Sequence, residues 1–171
     1  MSSKTKVSNR RQFLKTGAAL GAAVTLPSFT MRGAANKNSN LRILHIGVGG
    51  IGGMQRGNLK NHAKVEFAFL CDVDVNPLNR FGKEFPKAKK FRDYREVFEK
   101  HVDEFDAVIV DTPDHHHAPM MTHALAAGKH VYGQKPLVHQ LDELRLIREV
   151  LAKRPNLYTQ MGNQRACYTG R

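Results

Sequence analysis

Short apolar runs alternate with amphipathic stretches from Leu41 onward. The run at 107–110 is continuously apolar, as a strand buried on both faces of a parallel sheet is. The pattern predicts strands at 41–46, 65–70, 89–91, 107–110, 130–132 and 157–160. It predicts helices at 53–62, 77–85, 93–100, 119–127 and 141–151. This alternation indicates the α/β class, with a Rossmann-like doubly wound parallel sheet in a single domain.

Local signals mark several of these boundaries. Asp93 and Glu96 have the spacing of a capping box at the start of the third helix. Pro86 ends the second helix, because proline lacks the N–H that a continuing helix needs. Gly128 ends the fourth helix, since glycine readily adopts the left-handed conformation found after helices.

The first strand runs directly into a glycine-rich stretch, Gly47-Val48-Gly49-Gly50-Ile51-Gly52. Its G-x-G-x-x-G spacing gives each glycine a purpose: Gly47 allows a tight turn, Gly49 lets a diphosphate approach the backbone, and Gly52 lets the helix pack closely. The helix N-terminus then offers free N–H groups and a partial positive charge. We therefore predict a diphosphate site at this turn.

An acidic residue supports that interpretation. Asp72 ends the second predicted strand, 20 residues after Gly52, where dinucleotide folds place a carboxylate on the adenosine ribose. The alternative is a glycine turn in an unrelated α/β protein, but the glycine spacing and the acid together favour dinucleotide binding.

Two more stretches follow predicted strands and should reach the same edge of the sheet. One is 111–117, which ends in three consecutive histidines, and the other is 133–136, which contains Lys135. No carboxylate or cysteine stands at ligand spacing from the histidines, so we predict no metal site. Lys135 has the chemistry to polarise a substrate oxygen or relay a proton, whereas a solvated loop lysine is the simpler alternative.

The formal charge of +12 is unevenly distributed. Seven of the 27 basic residues and none of the 15 acidic ones lie within residues 1–40. No basic stripe with interleaved aromatic residues follows, so we expect no nucleic-acid binding.

Residues 1–35 have the order of an export signal: paired Arg10 and Arg11, then an apolar stretch over 16–29, then small residues up to Ala35. The paired arginines before Phe-Leu-Lys resemble a twin-arginine signal and predict export to the periplasm. A mitochondrial presequence is the competing interpretation. The apolar stretch is too short and too rich in glycine for a stable membrane span. Residues 36–40 form a polar linker.

Two cysteines, Cys71 and Cys167, lack metal-site spacing. We expect one buried thiol and one thiol in the tail.

The order GVGGIG, CDVD, TPDHHHAPM and AGKHVYGQKPL over residues 41–164 resembles the nucleotide-binding half of the Gfo/Idh/MocA (glucose–fructose oxidoreductase / inositol dehydrogenase) family. The resemblance implies an NAD- or NADP-dependent oxidoreductase that transfers hydride to or from a sugar, polyol or related hydroxy compound. Its partners would be the nicotinamide dinucleotide and a sugar-like substrate.

The resemblance also implies residue roles. The glycine turn would cradle the pyrophosphate, Asp72 would hold the ribose, and the nicotinamide side of the cleft would be lined by residues after the fourth strand. Lys135 would be catalytic and would also contact the cofactor. The full set of implied cofactor contacts is Gly47, Val48, Gly49, Gly50, Ile51, Gly52, Asp72, Thr112, Pro113, His117, Gln134 and Lys135.

This sequence departs from the family pattern at Gln134, where the family has a glutamate before the lysine. An amide still hydrogen-bonds but offers Lys135 no carboxylate, so its protonation state is less constrained. Asp72 favours NAD, because a carboxylate repels the 2′-phosphate of NADP. Arg80 leaves NADP open as the alternative.

Family members continue into a second α/β domain that binds substrate and often mediates homo-oligomers, whereas this sequence ends at Arg171. We therefore expect a missing substrate domain, with 165–171 as a tail. Two hypotheses follow: the cofactor half of an oxidoreductase, or a non-catalytic dinucleotide-binding module.

Overall fold

A computed structural model describes residues 40–163 of the chain. The export signal, most of the linker, the tail and Cys167 lie outside the described residues.

Six parallel strands form one sheet in the order β3-β2-β1-β4-β5-β6. They are β1 (Leu41–Ile46), β2 (Val65–Cys71), β3 (Lys89–Phe91), β4 (Ala107–Val110), β5 (His130–Gln134) and β6 (Thr159–Gly162). The strand order reverses between β1 and β4, and open α/β sheets bind ligands in the crevice at the carboxyl ends of such strands. The predicted Rossmann-like fold is confirmed.

Five helices cover the two faces of the sheet. They are α1 (Ile51–Leu59), α2 (Val75–Glu84), α3 (Tyr94–His101), α4 (His117–Ala126) and α5 (Leu141–Ala152). Leu78 and Phe81 of α2 pack on one face, whereas Val97 of α3, Met121 of α4 and Ile147 of α5 pack on the other. Alternation along β1 supplies both cores, since successive side chains of a strand point to opposite faces.

Element boundaries differ from the predictions by one to three residues, apart from β1, β3 and β4. Leu157 suggested a strand beginning there, but it lies in a turn in which its N–H bonds to the Arg154 carbonyl at 3.1 Å, and β6 starts at Thr159. The second helix begins at Val75 rather than Pro77, because the Asp74 side chain caps it by accepting from Asn76 N at 2.8 Å.

The predicted capping box of α3 is half present. Asp93 accepts from Arg95 N at 2.9 Å, as an N-cap should, but Glu96 pairs with Lys100 at 3.4 Å instead of reaching back. Gly128 ends α4 with φ of 76°, as predicted. Among residues 40–163, no helix is long and apolar enough to span a membrane.

Candidate dinucleotide-binding site

The glycine turn after β1 is pressed against the end of β4. Gly47 has φ of 84°, a left-handed conformation that favours glycine. A Cβ added to Gly47 would meet the Asp111 carbonyl oxygen at 2.6 Å and Thr112 N at 2.9 Å. A Cβ on Gly52 would collide with the Gly47 carbonyl oxygen. These two glycines are therefore required by the protein's own packing.

Gly49 differs from its neighbours because the protein leaves room beside it. A Cβ there would make ordinary contacts with Pro77 at 3.6 Å and with Asp72 Oδ2 at 3.7 Å, so the fold itself does not demand glycine. Gly49 lines an open cleft, and close approach of a ligand to the backbone is the remaining physical reason for a missing side chain.

Asp72 lies against the same turn. Its Oδ2 accepts from Gly49 N at 3.1 Å, and its Oδ1 accepts from Asp74 N at 3.0 Å. Two backbone donors thus fix the carboxylate beside the cleft. An acid held in this way is prepared to accept hydrogen bonds from a neighbouring diol without reorganisation.

The cleft has a volume of about 690 Å³ and lies at the carboxyl ends of β1, β2, β3 and β4. Five of the residues predicted to bind the cofactor line it, namely Gly47, Gly49, Asp72, Thr112 and Pro113. Other lining residues were not among the predicted cofactor contacts, among them Val73, Arg92, Asp93, Tyr94, Arg95, Pro119 and Met120. Residues 92–95 could have been predicted from the sequence. They follow the predicted third strand, and ligands bind at the carboxyl ends of strands in open parallel sheets.

Two arginines at the end of β3 differ in their electrostatic state. Arg95 forms a short ion pair with Asp93, at 2.7 Å between Nη2 and Oδ2, and its hydrogen bonds hold the pKa of Asp93 below its usual range. Arg92 donates to the Val73 carbonyl at 3.2 Å and keeps its positive charge facing the cleft. Arg80, suggested from the sequence, lies over the Phe81 ring at 4.7 Å and does not line this cleft.

Cys71 also lines the cleft but is a poor nucleophile. The residue is 2% exposed, and burial raises the pKa of its thiol to about 12, with further contributions from Asp72 and Asp93. The thiolate that a reactive cysteine needs is therefore scarce at neutral pH. The expected buried thiol is present.

His117 lies beneath the cleft rather than in its wall. It is fully buried, with Nδ1 2.6 Å from the Pro136 carbonyl oxygen and Nε2 2.7 Å from the Thr112 carbonyl oxygen. It therefore ties the loop after β4 to the loop after β5. His115 and His116 do line the cleft, and in the described part of the chain no group of three or more metal-binding side chains occurs.

The remaining predicted residues lie around the turn and the end of β5. Val48 is buried in the core, and Ile51 starts α1 at the surface. Gln134 is 5% exposed, and its Oε1 accepts from Lys135 N at 2.9 Å. Lys135 itself is exposed, outside the 690 Å³ cleft, and across residues 40–163 its Nζ makes no hydrogen bond or ion pair.

Arg56 of α1 supports the turn from below. It is 5% exposed, its guanidinium lies 3.2 Å from the Phe81 ring centroid, and its Nε donates to Glu84 at 3.0 Å. A longer bond of 3.4 Å joins Nη1 to the Val48 carbonyl within the turn. Burial lowers the pKa of Arg56, and Glu84 opposes that shift.

We expect Arg56→Ala to lower the free energy of unfolding by about 2 kcal/mol, because ring packing and two hydrogen bonds are lost together. Lys60→Ala is the matched control, since exposed Lys60 also contacts Glu84, at 3.2 Å, and should cost less than about 0.5 kcal/mol. Chemical denaturation of both variants measures the difference. Equal losses would mean that Arg56 contributes only its charge.

A strand-order reversal, a glycine turn at a helix N-terminus and an acid fixed beside it define a dinucleotide-binding α/β domain. Residues 41–161 match the family model described as an oxidoreductase family with an NAD-binding Rossmann fold. The chain belongs to this Gfo/Idh/MocA family and contains its NAD-binding domain. Residues 8–27 match the twin-arginine translocation pathway signal sequence, so the chain carries the export signal predicted for it.

Curated relatives include an inositol 2-dehydrogenase of Rubrobacter xylanophilus, 32% identical over 122 residues, covering 70% of this chain and 34% of that protein. A glycosyl hydrolase family 109 protein of Solibacter usitatus is 31% identical over 150 residues, and the match covers 79% of this chain and 34% of that protein. The crystal structure of myo-inositol 2-dehydrogenase from Lactobacillus plantarum superposes with a TM-score of 0.71 at 26% identity. The superposition covers 77% of this chain and 38% of that one. The chain thus spans about a third of the length of its curated relatives.

Proposed function

We propose that this chain supplies the cofactor half of an oxidoreductase that transfers hydride between a nicotinamide dinucleotide and a sugar-like or polyol alcohol. The observation that carries the proposal is the Asp72 carboxylate, fixed by Gly49 N and Asp74 N where the glycine turn meets the cleft. The diphosphate would lie against Gly49, Gly50 and the start of α1, and Asp72 would accept from the adenosine ribose. The inositol dehydrogenase relatives support the alcohol as substrate class.

The preferred cofactor in this proposal is NAD. Asp72 would repel a 2′-phosphate and accept hydrogen bonds from a 2′-hydroxyl. Arg92 lines the cleft and donates to the Val73 carbonyl, whereas Arg95 is neutralised by its ion pair with Asp93. NADP would therefore bind only if the attraction of Arg92 for the 2′-phosphate exceeded the repulsion from Asp72.

Lys135 is the proposed catalytic residue. Lys135 directly follows β5, and its side chain is exposed at the carboxyl end of the sheet. Ligands bind at this end of open parallel sheets, so the side chain could contact a substrate there. As an ammonium it would donate a hydrogen bond to the substrate oxygen and stabilise negative charge there, and as a neutral amine it would accept the hydroxyl proton that leaves as hydride departs. Thr112, Pro113 and Gln134 would shape the nicotinamide side, and His117 would hold their two loops together.

Calorimetric titration of the purified chain with NAD and with NADP tests this proposal. We expect saturable NAD binding, weaker NADP binding, and no turnover on a polyol panel, because the chain spans only about a third of the length of its curated relatives. If the chain bound neither NAD nor NADP, the proposal would be contradicted. Turnover by the chain alone would show that it needs no second domain.

The glycosyl hydrolase name of a 31% identical relative favours a second candidate, glycoside cleavage. Glycoside hydrolysis involves no net oxidation, so any hydride that the dinucleotide took from the sugar would have to be returned within the same cycle. Measuring NADH absorbance in a preparation that includes a substrate domain distinguishes the two candidate activities. Net NADH accumulation supports the dehydrogenase, whereas glycoside cleavage without net NADH supports the hydrolase.

We also propose that the exported protein works in the periplasm, the usual destination of twin-arginine substrates. Twin-arginine export carries folded proteins, which suits a domain that must hold its cofactor during transport. A non-catalytic binding module remains the alternative role, and homo-oligomer formation through a second domain is proposed only for a form that carries that domain. Cell fractionation with an antibody to the chain tests the location, and a purely cytoplasmic signal would contradict it.

A further inference from the structure

The two outer strands of the sheet differ in length and charge. β3 has three residues, among them Lys89 and Lys90, and Lys89 pairs with Glu104 at 2.7 Å. Short, charged edge strands resist pairing with strands of other molecules. By contrast, the segment at 157–163 that contains β6 has no charged residue and no proline, and within residues 40–163 β6 pairs with β5 alone. β6 is therefore the edge to which another strand could be added.

The backbone groups on the outer side of β6 belong to Thr159 and Met161. Val131 N of β5 donates to the Tyr158 carbonyl at 3.0 Å, and Val131 lies in register with Thr159. Backbone groups alternate in direction along a strand, so those of Tyr158 and Gln160 face β5. Those of Thr159 and Met161 face outward, and the outward Met161 carbonyl accepts from the Gln160 side chain at 2.9 Å. An added strand would bind these two residues.

The outer side of β6 is complementary to a second copy of itself. An antiparallel pair about a two-fold axis at Gln160 would place Thr159 opposite Met161 of the second copy. Both residues of that pair have outward N–H and carbonyl groups, so they would exchange both hydrogen bonds, and the axis repeats the pair. Registers shifted along the strand would leave Thr159 or Met161 opposite a residue outside β6.

The side chains fit the same register. Tyr158 is 79% exposed and would lie opposite Gly162 of the second copy, which has no side chain to obstruct the ring. Packing within the domain keeps this position small, because a Cβ added to Gly162 would collide with the Tyr132 hydroxyl and lie 3.0 Å from Gln134 Oε1. An aromatic ring that covers a glycine on the neighbouring strand stabilises an exposed sheet edge.

Charge favours a second copy over a different partner. Basic residues outnumber acidic ones both within residues 1–40 and after them, so two copies repel each other over much of their surface. The segment 157–163 is uncharged, and at the axis Gln160 would meet Gln160 of the second copy with no like charges opposed. A partner of opposite charge would gain no attraction at this edge, whereas a second copy requires none.

We propose that β6 is a homodimer edge, at which two copies of this chain pair antiparallel and join their six-stranded sheets into one. The two dinucleotide clefts would then open at opposite ends of the joined strands, so dimerisation does not require a bound cofactor. The inference is independent of the proposed function. A contact of a few residues a side is small for a protein interface, and we expect a dimer Kd of roughly 10–100 μM.

Sedimentation velocity of the full chain over a concentration series, without dinucleotide, tests the proposal. The wild type should pass from monomer to dimer. Gln160→Lys and Gln160→Glu each oppose like charges across the axis and should each weaken the dimer by about fivefold. An equal mixture of the two variants should form a heterodimer at least as stable as the wild-type dimer. This recovery also shows that both variants are folded.

Ala63→Lys is the matched control for the added charge. Ala63 is exposed before β2, and β1, β4 and β5 separate β2 from β6 in the sheet. This variant should dimerise like the wild type. At the edge itself, Thr159→Pro removes an outward N–H without removing a bond to β5 and should weaken the dimer by at least about 30-fold. Thr159→Ala keeps that N–H and should retain the dimer.

Hydrogen exchange at the amides of Thr159 and Met161 identifies what covers the edge. Protection that appears only at concentrations at which the dimer forms supports the proposal. Protection that persists in the dilute monomer would mean that another segment of the chain covers β6, and it would overturn the proposal. A wild type that stays monomeric throughout the series, or a mixture of Gln160→Lys and Gln160→Glu that fails to dimerise, would also overturn it.

Discussion

Replacing Gly52 with alanine is expected to destroy the dinucleotide site. The added Cβ would collide with the Gly47 carbonyl oxygen, and neither a Cβ nor a backbone oxygen can be moved by a change of rotamer. We expect a loss of about 3 kcal/mol in the free energy of unfolding. NAD affinity should fall by at least about 100-fold, because the turn must open and its N–H groups lose their common direction.

Gly57→Ala on the same helix is the control for Gly52→Ala. Gly57 is exposed and has nothing within 4 Å of an added Cβ, so alanine should stabilise the helix by roughly 0.5–1 kcal/mol and leave NAD affinity unchanged. Thermal unfolding and NAD titration of both variants measure the contrast. Wild-type affinity in Gly52→Ala would show that the turn does not hold the diphosphate.

Replacing Asp72 with serine is expected to change cofactor choice. The variant loses a carboxylate that would accept from the ribose, so NAD should bind about 10- to 100-fold more weakly. The same change removes the repulsion of a 2′-phosphate while Arg92 remains at the cleft. The ratio of NADP affinity to NAD affinity should therefore rise, and adding Arg92→Ala should reverse much of that rise.

Asp74→Ala separates this effect from stability. Asp74 caps α2 through Asn76 N at 2.8 Å, so its loss should cost about 1 kcal/mol of stability. The preference between NAD and NADP should not change, because the Asp74 side chain does not line the cleft. An unaltered NAD affinity in Asp72→Ser would remove Asp72 from the proposed site.

The sequence was sufficient for the fold and for the glycine turn because both follow from local rules. An apolar run such as 107–110 has few alternatives to a buried strand, and G-x-G-x-x-G after a strand constrains backbone geometry within a few residues. Asp72 was found in the same way, by its distance along the chain from Gly52. These signals require no knowledge of how distant segments meet.

The rest depends on tertiary contacts that no local pattern encodes. His117 was expected in the wall of the cleft from its position in the TPDHHHAPM motif. Its hydrogen bonds to the Thr112 and Pro136 carbonyls instead place it beneath the cleft. Arg92 reaches the cleft because β3 pairs with β2, a pairing set by packing of the whole sheet. The contact between His45 and Asp111 joins residues 66 positions apart and follows only from the pairing of β1 with β4.

A crystal structure of the chain with NAD tests the central claim most directly. The account predicts the diphosphate against the backbone of Gly49 and Gly50 at the start of α1, with the adenosine ribose hydroxyls donating to Asp72. A dinucleotide bound elsewhere, or one bound here with Asp72 turned away from the ribose, would contradict it.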